Sequence, residues 1–357
     1  MRWPFVDRLR GVAVLLVLFR HHPASGVLGE FGWLGVDLFF VLSGFLVSGL
    51  VFDEIRNTGR FAPGRFLIRR GFKIYPSFYF FILVTFLLKW AMDVQAPILA
   101  YLNEILFLQN YRAGLWVHTW SLAVEEHFYI LLVLITVLLV SSRTKLTWRA
   151  FLCCCILIMT GCSCLRALHL LQVENADLAP THLRLDSLLG GVLLAGWHRF
   201  RPRPFYRAFT APKLLLLSSV VVLLLPVLST PFGSFTMFTF GLTGAFLAGM
   251  VAVGMAVAAG QQTNGTRWLQ IPGRWLAWVG TISYTIYLWH LLVIISLDNV
   301  YDRVGHPPTM TKHLIFFFFS ILVGWLTART IERYGLHLRQ RFFPATAKRT
   351  LLFVKDN

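Results

Sequence analysis

A chain of 357 residues that is 57% hydrophobic and only 14% charged lacks the polar surface to cover a water-soluble core. That balance excludes a soluble globular protein and reads as an all-α polytopic membrane protein, since several runs reach the roughly 20 apolar residues that span a bilayer. The formal net charge of +17 would suggest nucleic acid in a soluble protein, so its placement has to be checked before it is interpreted.

About ten transmembrane helices are expected in chain order, over about 9–26, 33–51, 74–90, 119–140, 150–170, 183–198, 214–230, 237–259, 276–296 and 313–331. No secretory signal fits the start, because Trp3, Pro4 and Asp7 precede the first apolar run and no cleavage site follows it. That run is therefore read as a retained first helix. The stretch "APILAYLNEILFLQNYRAGLW" (96–116) is too polar to span and is expected to lie along the outer face as an amphipathic helix. All five cysteines fall within "CCCILIMTGCSC" (153–164), at neither metal nor disulfide spacing, and read as helix-packing residues. No repeat of fixed period or low-complexity tract interrupts the chain. Residues 1–357 are taken as a single domain, with helices over about 1–335 and a basic cytoplasmic tail over 336–357.

An even number of spans puts both termini on one side, and Lys and Arg decide which. The N-terminus, the loops near 52–73, 141–149, 199–213 and 260–275, and the tail from 329 hold 26 of the 33. By the positive-inside rule these regions and both termini are cytoplasmic. The excess charge is then mostly topological, and nucleic acid is not an expected partner.

Charged groups in hydrocarbon cost a few kcal/mol each, so those that persist mark partners or sites. The assumed topology brings His21, Asp37, Glu125 with Glu126, Arg184 with Asp186, and His290 to a similar level in the outer half. Arg10 stands eleven residues before His21, so at about 100° per residue both side chains share one helix face, roughly 16 Å apart along the axis. Arg184 and Asp186, two residues apart, point to different faces and need separate partners. Tyr284, Tyr287 and His290 recur every three residues and line one face of the ninth span, where an acceptor could lie.

At the cytoplasmic rim, "RFLIRRGFKIYP" places Arg65, Arg69, Arg70 and Lys73 in and just before the third span. Such a cluster suits a phosphorylated cytosolic ligand, although positive-inside anchoring alone would also produce it. Acyl-coenzyme A has the matching shape: phosphates for the basic rim, and a pantetheine arm that reaches on the order of 16–20 Å along the Arg10 to His21 face. The thioester would arrive beside His21, a neutral imidazole able to take a hydroxyl proton, with a carboxylate such as Glu125 fixing its tautomer.

These segments together resemble the acyltransferase 3 family of membrane O-acyltransferases. "VDRLRGVAVLLVLFRHH" resembles the family's opening, with Arg10 and His21 as its Arg and His. "GWLGVDLFFVLSGFLVSGLV" is close to its second-helix signature, "FLIRRGFKIYP" to its third and "TWSLAVEEHFYILL" to its fourth, and "THLRLDSLLGGVLLA" and "GTISYTIYLWHLLVI" are similar to later helices. The resemblance implies transfer of an acyl group, often acetyl, from cytosolic acyl-CoA to a hydroxyl of a glycan, glycolipid or glycosylated small molecule. It implies a cell-membrane location, in bacteria the inner or plasma membrane. Acyl-CoA enters as donor substrate and no permanently bound cofactor or metal is expected.

Carried over by position, His21 is the catalytic base with Glu125 beside it. Arg10, Arg69, Arg70 and Lys73 hold the donor, and Asp37, Arg184, Asp186, Tyr284 and His290 face the acceptor. Position 73 departs from the family's usual Arg, keeping the charge but losing the bidentate fork. Bland readings stand beside these. Asp37 can serve simply to hold an arginine, Ser43 to pack beside its glycine, and His22 and His127 read as structural or interfacial groups. The competing class is a proton-coupled transporter, against which the sequence offers no inverted repeat and no matched pair of broken helices.

Overall fold

The computed structural model describes residues 3–22, 26–141, 148–173, 177–260 and 270–344, and among these every regular element is helical. The helices in chain order are α1 (Pro4–His21), α2 (Gly26–Phe31), α3 (Leu34–Thr58), α4 (Pro63–Ala91) and α5 (Ile98–Ile105). They continue with α6 (Trp120–Ser141), α7 (Trp148–Gln172), α8 (Leu185–Phe200), α9 (Pro202–Phe209) and α10 (Lys213–Ser229). The last are α11 (Leu242–Ala259), α12 (Gln270–Thr281), α13 (Ser283–Val304), α14 (Thr309–Thr327) and α15 (Arg333–Phe342).

The expected spans overlap helices, except that the ninth, 276–296, straddles the break between α12 and α13; length and composition qualify six helices as membrane-crossing on their own, or up to eight if each of two bent pairs counts as one span. Outside that count stand α1, with Asp7, Arg8, Arg10 and Arg20 among its 18 residues, and α8, which is only 16 residues long. The bent pairs are α9 with α10, which meet at 85°, and α12 with α13, which meet at 78°. Neither break was legible as such, because the first follows a short amphipathic helix ended by Pro212 and the second turns on the single residue Ile282.

The segment from 96 to 116 is not one amphipathic helix. Only Ile98–Ile105 is helical, and the chain then folds back at Phe107, whose φ of 56° breaks the helical path. Glu104 is buried beneath this fold and accepts from the Leu115 N–H at 2.9 Å, while Asn103 donates to the Ala113 carbonyl at 2.9 Å. Polar residues that suggested an exposed face are instead the internal ties of a folded loop.

Two apolar cores organise the bundle. One joins α3, α6, α8 and α11 around Phe40, Phe45, Leu188 and Val253, and the other joins α1, α4 and α13 around Leu18, Phe78, Phe81 and Ile286. α3 and α8 meet backbone to backbone, with Gly44 against the Leu188 carbonyl and Gly191 against that of Val41, where a Cβ has no room. Val36 and Tyr284 pack against both cores and mark the seam between them.

The described ends share one end of the bundle. Trp3 packs on His198, next to an Arg199–Asp53 ion pair of 3.0 Å that ties the last turns of α8 and α3 together. Arg65, in the first turn of α4, donates to the Pro344 carbonyl at the same end. Helix runs on to Phe342, past the expected start of the tail at 336. Residues 345–357 of that tail, and most of the basic loops near 141–149 and 260–275, lie outside the described residues.

Candidate active site

A cavity of about 160 Å³ lies at the seam. Arg10 from α1 and Arg70 and Lys73 from α4 line it on the side of the shared basic end, and Glu125, Glu126 and Tyr129 from α6 line it from across. Arg70 and Lys73 are three residues apart and so project from one face of α4. Lys73 is ion-paired with Glu332, and Tyr75, two residues further on, donates to Glu126 at 3.0 Å. Glu125 accepts from the Tyr129 hydroxyl at 2.9 Å, across one helical turn, and Tyr129 in turn meets Ser43 at 3.3 Å. Ser43 therefore faces the cavity in addition to sitting beside a tightly packed glycine.

The two other cations of the basic run do not reach the cavity. Arg65 and Arg69 donate to the carbonyls of Pro344 and Phe343, so they strap the segment after α15 over the start of α4. Of the four expected donor contacts, Arg10, Arg70 and Lys73 are brought together and Arg69 is not.

His21 closes α1 on the same face as Arg10, half-buried, and does not line this cavity. Its Nδ1 lies 3.0 Å from the Val17 carbonyl and 3.1 Å from His290 Nε2. His290 is fully buried, and its Nδ1–H donates to the Tyr287 carbonyl at 2.6 Å. That leaves His290 Nε2 as acceptor, so the His21 proton sits on Nδ1 and its Nε2 keeps a lone pair. The groups that fix the His21 tautomer are thus the Val17 carbonyl and His290, where the sequence reading placed Glu125. Glu125 lines the cavity and His21 does not.

Tyr287 is the contact between the two arrangements. It lines the cavity, hydrogen-bonds Ser121 at 2.6 Å and the His118 carbonyl at 2.6 Å, and packs against His290 with ring centroids 5.7 Å apart. Tyr284 also lines the cavity, donating to the Ile74 carbonyl at 2.9 Å. Of the face Tyr284, Tyr287 and His290, the two tyrosines meet the cavity and the histidine meets His21.

The charged groups at the start of α8 are engaged elsewhere. One Arg184 nitrogen, Nη2, donates to both oxygens of Asp37 at 2.9 and 3.0 Å, and Ser187 donates to the same carboxylate at 2.8 Å. Asp186 pairs with Arg166 of α7 at 2.8 Å, both side chains being 1% exposed. Asp37 and Asp186 are placed in buried ion pairs away from the cavity walls, while Arg184 borders a second cavity near the opposite end of the bundle. His22 stacks on His313 and His127 bonds Thr181, as structural groups do.

The sequence profile described as "Acyltransferase domain" matches residues 3–329. The chain belongs to the acyltransferase 3 family. A Staphylococcus aureus (strain COL) protein named "Putative O-acetyltransferase" is 28% identical over 355 residues, covering 92% of this chain and 56% of its own length. The O-acetyltransferase OatA of S. aureus (strain NCTC 8325 / PS 47) is 26% identical over 375 residues, covering 96% of this chain and 58% of OatA. The chain thus spans little more than half the length of these curated relatives. No solved structure matches it.

Sequence reasoning missed Tyr129, Ser121, Glu332 and Arg166. Tyr129 was signalled by its spacing of four from Glu125, which puts both on one face. Glu332 stands out as the single acid in a basic stretch.

Proposed function

We propose that this protein is a membrane O-acyltransferase that moves an acyl group, acetyl in the simplest case, from acyl-CoA to a hydroxyl of a carbohydrate or glycosylated acceptor. His21 is the general base in this reading. The observation that carries it is the bond chain from the Tyr287 carbonyl through His290 to His21, which leaves His21 Nε2 as a proton acceptor at the far end of the helix face that begins with Arg10. Family membership and the O-acetyltransferase relatives support the reaction class.

In the reaction, the acceptor oxygen attacks the thioester carbonyl while His21 Nε2 takes the hydroxyl proton. The C–S bond then breaks, and the proton passes to the leaving sulfur, giving an ester and free coenzyme A. Arg10, Arg70 and Lys73 balance the phosphates and orient the pantetheine arm. Tyr287 has to shift for a thioester in the cavity to meet His21, because its hydroxyl is bonded between them to Ser121 and His118. The basic end is cytoplasmic in this reading, as the placement of Lys and Arg requires.

The test is coenzyme A binding and acyl transfer by purified protein in lipid nanodiscs. Arg70→Ala is expected to weaken coenzyme A binding more than His21→Ala, and His21→Ala to lose transfer by about 10²-fold or more while still binding coenzyme A. Normal transfer by His21→Ala would remove the assigned base. The 78° break between α12 and α13, beside Tyr284, supports a second reading as a proton-coupled transporter. Solute uptake into vesicles without an acyl donor would favour that reading.

A further inference from the structure

A second and larger cavity, about 670 Å³, opens near the opposite end of the bundle from Arg65 and Arg199. Its walls come from the helix starts that face away from the basic end: Trp33 before α3, the folded loop at 109–117, Trp120 at the head of α6, Arg184 before α8, and Phe232 with Phe238 before α11. Three tryptophans and two phenylalanines around one space are more than packing requires, since Trp33 is only half-buried and Phe232 is 55% exposed. Between these rings the wall carries polar side chains: Gln109, whose amide nitrogen is spent on the Thr119 carbonyl at 3.1 Å, Asp177 and Arg184.

The charge of the wall narrows the ligand. Arg184 is neutralised by its pairing with Asp37, and its guanidinium lies 5.5 Å from the Trp120 ring centroid, so it offers N–H groups without a free cation. Asp177 adds a carboxylate. A site of flat aromatic faces and in-plane polar groups, with no unpaired positive charge among the described lining residues, fits a neutral pyranose. Such a ring presents an apolar C–H face for stacking and hydroxyls around its rim for hydrogen bonds.

Its position relates it to the chemistry. Val36 lines both cavities, and Trp120 packs edge-on against Phe40 of the central one at 5.9 Å. On the other flank the Phe232 ring lies 4.8 Å from the guanidinium of Arg20, the residue before His21. We infer that this tryptophan-lined cavity is the acceptor site and takes an uncharged sugar ring stacked on Trp33 and Trp120. The inference rests on the O-acyltransferase reading, which left the acceptor's seat open.

Two experiments test it. In cells expressing the full chain, alkali-labile acetyl on envelope carbohydrate is measured for wild type, Trp33→Ala, Trp33→Phe and Phe232→Ala, alongside coenzyme A binding by each purified protein. Trp33→Ala and Phe232→Ala are expected to lose carbohydrate acetylation by about tenfold, with Trp33→Phe restoring most of it and coenzyme A binding unchanged throughout. In nanodiscs, saturation-transfer NMR with chitotetraose should show contact at the sugar C–H protons that Trp33→Ala abolishes, and tetragalacturonate should show none.

Undiminished acetylation in both alanine variants, or equal signal from the acidic tetrasaccharide, would overturn the cavity assignment and leave the acyltransferase reading standing. Absence of acyl-CoA-dependent transfer in the wild type would overturn that reading itself. Partition of the acetyl ester between lipid-extractable and aqueous fractions distinguishes a lipid-linked sugar from a free one, and either supports the site.

Discussion

Two sets of ionisable side chains lie inside this bundle, and they behave oppositely. At the head of α8, Arg184 with Asp37 and Arg166 with Asp186 are matched one to one and sealed, each carboxylate 1% exposed. At the seam, Arg10, Arg70 and Lys73 face Glu125 and Glu126 across open space, and their bonds run largely to tyrosine hydroxyls and to Glu332. Both sets combine basic and acidic side chains. The difference is whether each charge has spent its partner on packing, and it separates a structural clamp from a place where a ligand's charges can be met.

The largest effect that would break this contrast lies in the clamp. Asp186→Ala leaves Arg166 buried without its counter-charge and should cost about 3–5 kcal/mol, read as a collapse of folded yield and a fall in the detergent melting temperature. Asp37→Ala should do the same through Arg184. In the cavity the expected signature is reversed. Glu125→Gln should change stability by less than about 1 kcal/mol, because an amide still accepts from Tyr129, while lowering acyl transfer through the lost charge on the cavity wall. A large loss of stability with no kinetic effect would put Glu125 among the clamps.

A middle-sized effect sharpens the link between the two halves. Tyr287→Phe removes the hydroxyl held by Ser121 and the His118 carbonyl and should destabilise by about 1 kcal/mol. With the tie to Ser121 and His118 gone, transfer should hold or rise, which a single-turnover assay would measure.

The smallest lies outside the spans. Burial pushes the Glu104 carboxyl above its ordinary value of 4.5, with hydrogen bonds to Thr119 and the Leu115 backbone pulling it back. The folded state therefore holds that proton more tightly than the unfolded one. Its contribution to stability is most favourable below about pH 4.5 and declines as pH rises through the folded value. Glu104→Gln should flatten that slope and shift stability at neutral pH by about 1 kcal/mol or less, seen in melting curves across pH.

Much of the fold and part of the site could be read from the chain before any coordinates. The expected apolar segments fall on helices, although only six to eight qualify as membrane spans and the ninth straddles a 78° break, and the demand that Arg184 and Asp186 find separate partners was met by Asp37 and Arg166. Arg10 and His21 do share a face of one unbroken helix. What topology supplied was depth along the membrane normal. It carried no information about angle around the bundle, so Glu125 was set beside His21 when the neighbour is His290, and Arg69 was grouped with Arg70 although one helical step turns it toward the Phe343 carbonyl. The fold-back of 106–116 was hidden because a buried glutamate and an exposed one look alike in a polar stretch. The second cavity was invisible for a related reason: its aromatic rings come from three separate regions of the chain, Trp33, Trp116 with Trp120, and Phe232 with Phe238.

The strap by which Arg65 and Arg69 grip the carbonyls after α15 has a practical side. A bulky reporter joined directly at Pro344, with residues 345–357 removed, would stand at the basic mouth and hang over the doorway. Affinities for anionic nucleotides measured on such a fusion would come out too weak, and the handle would be mistaken for a property of the protein.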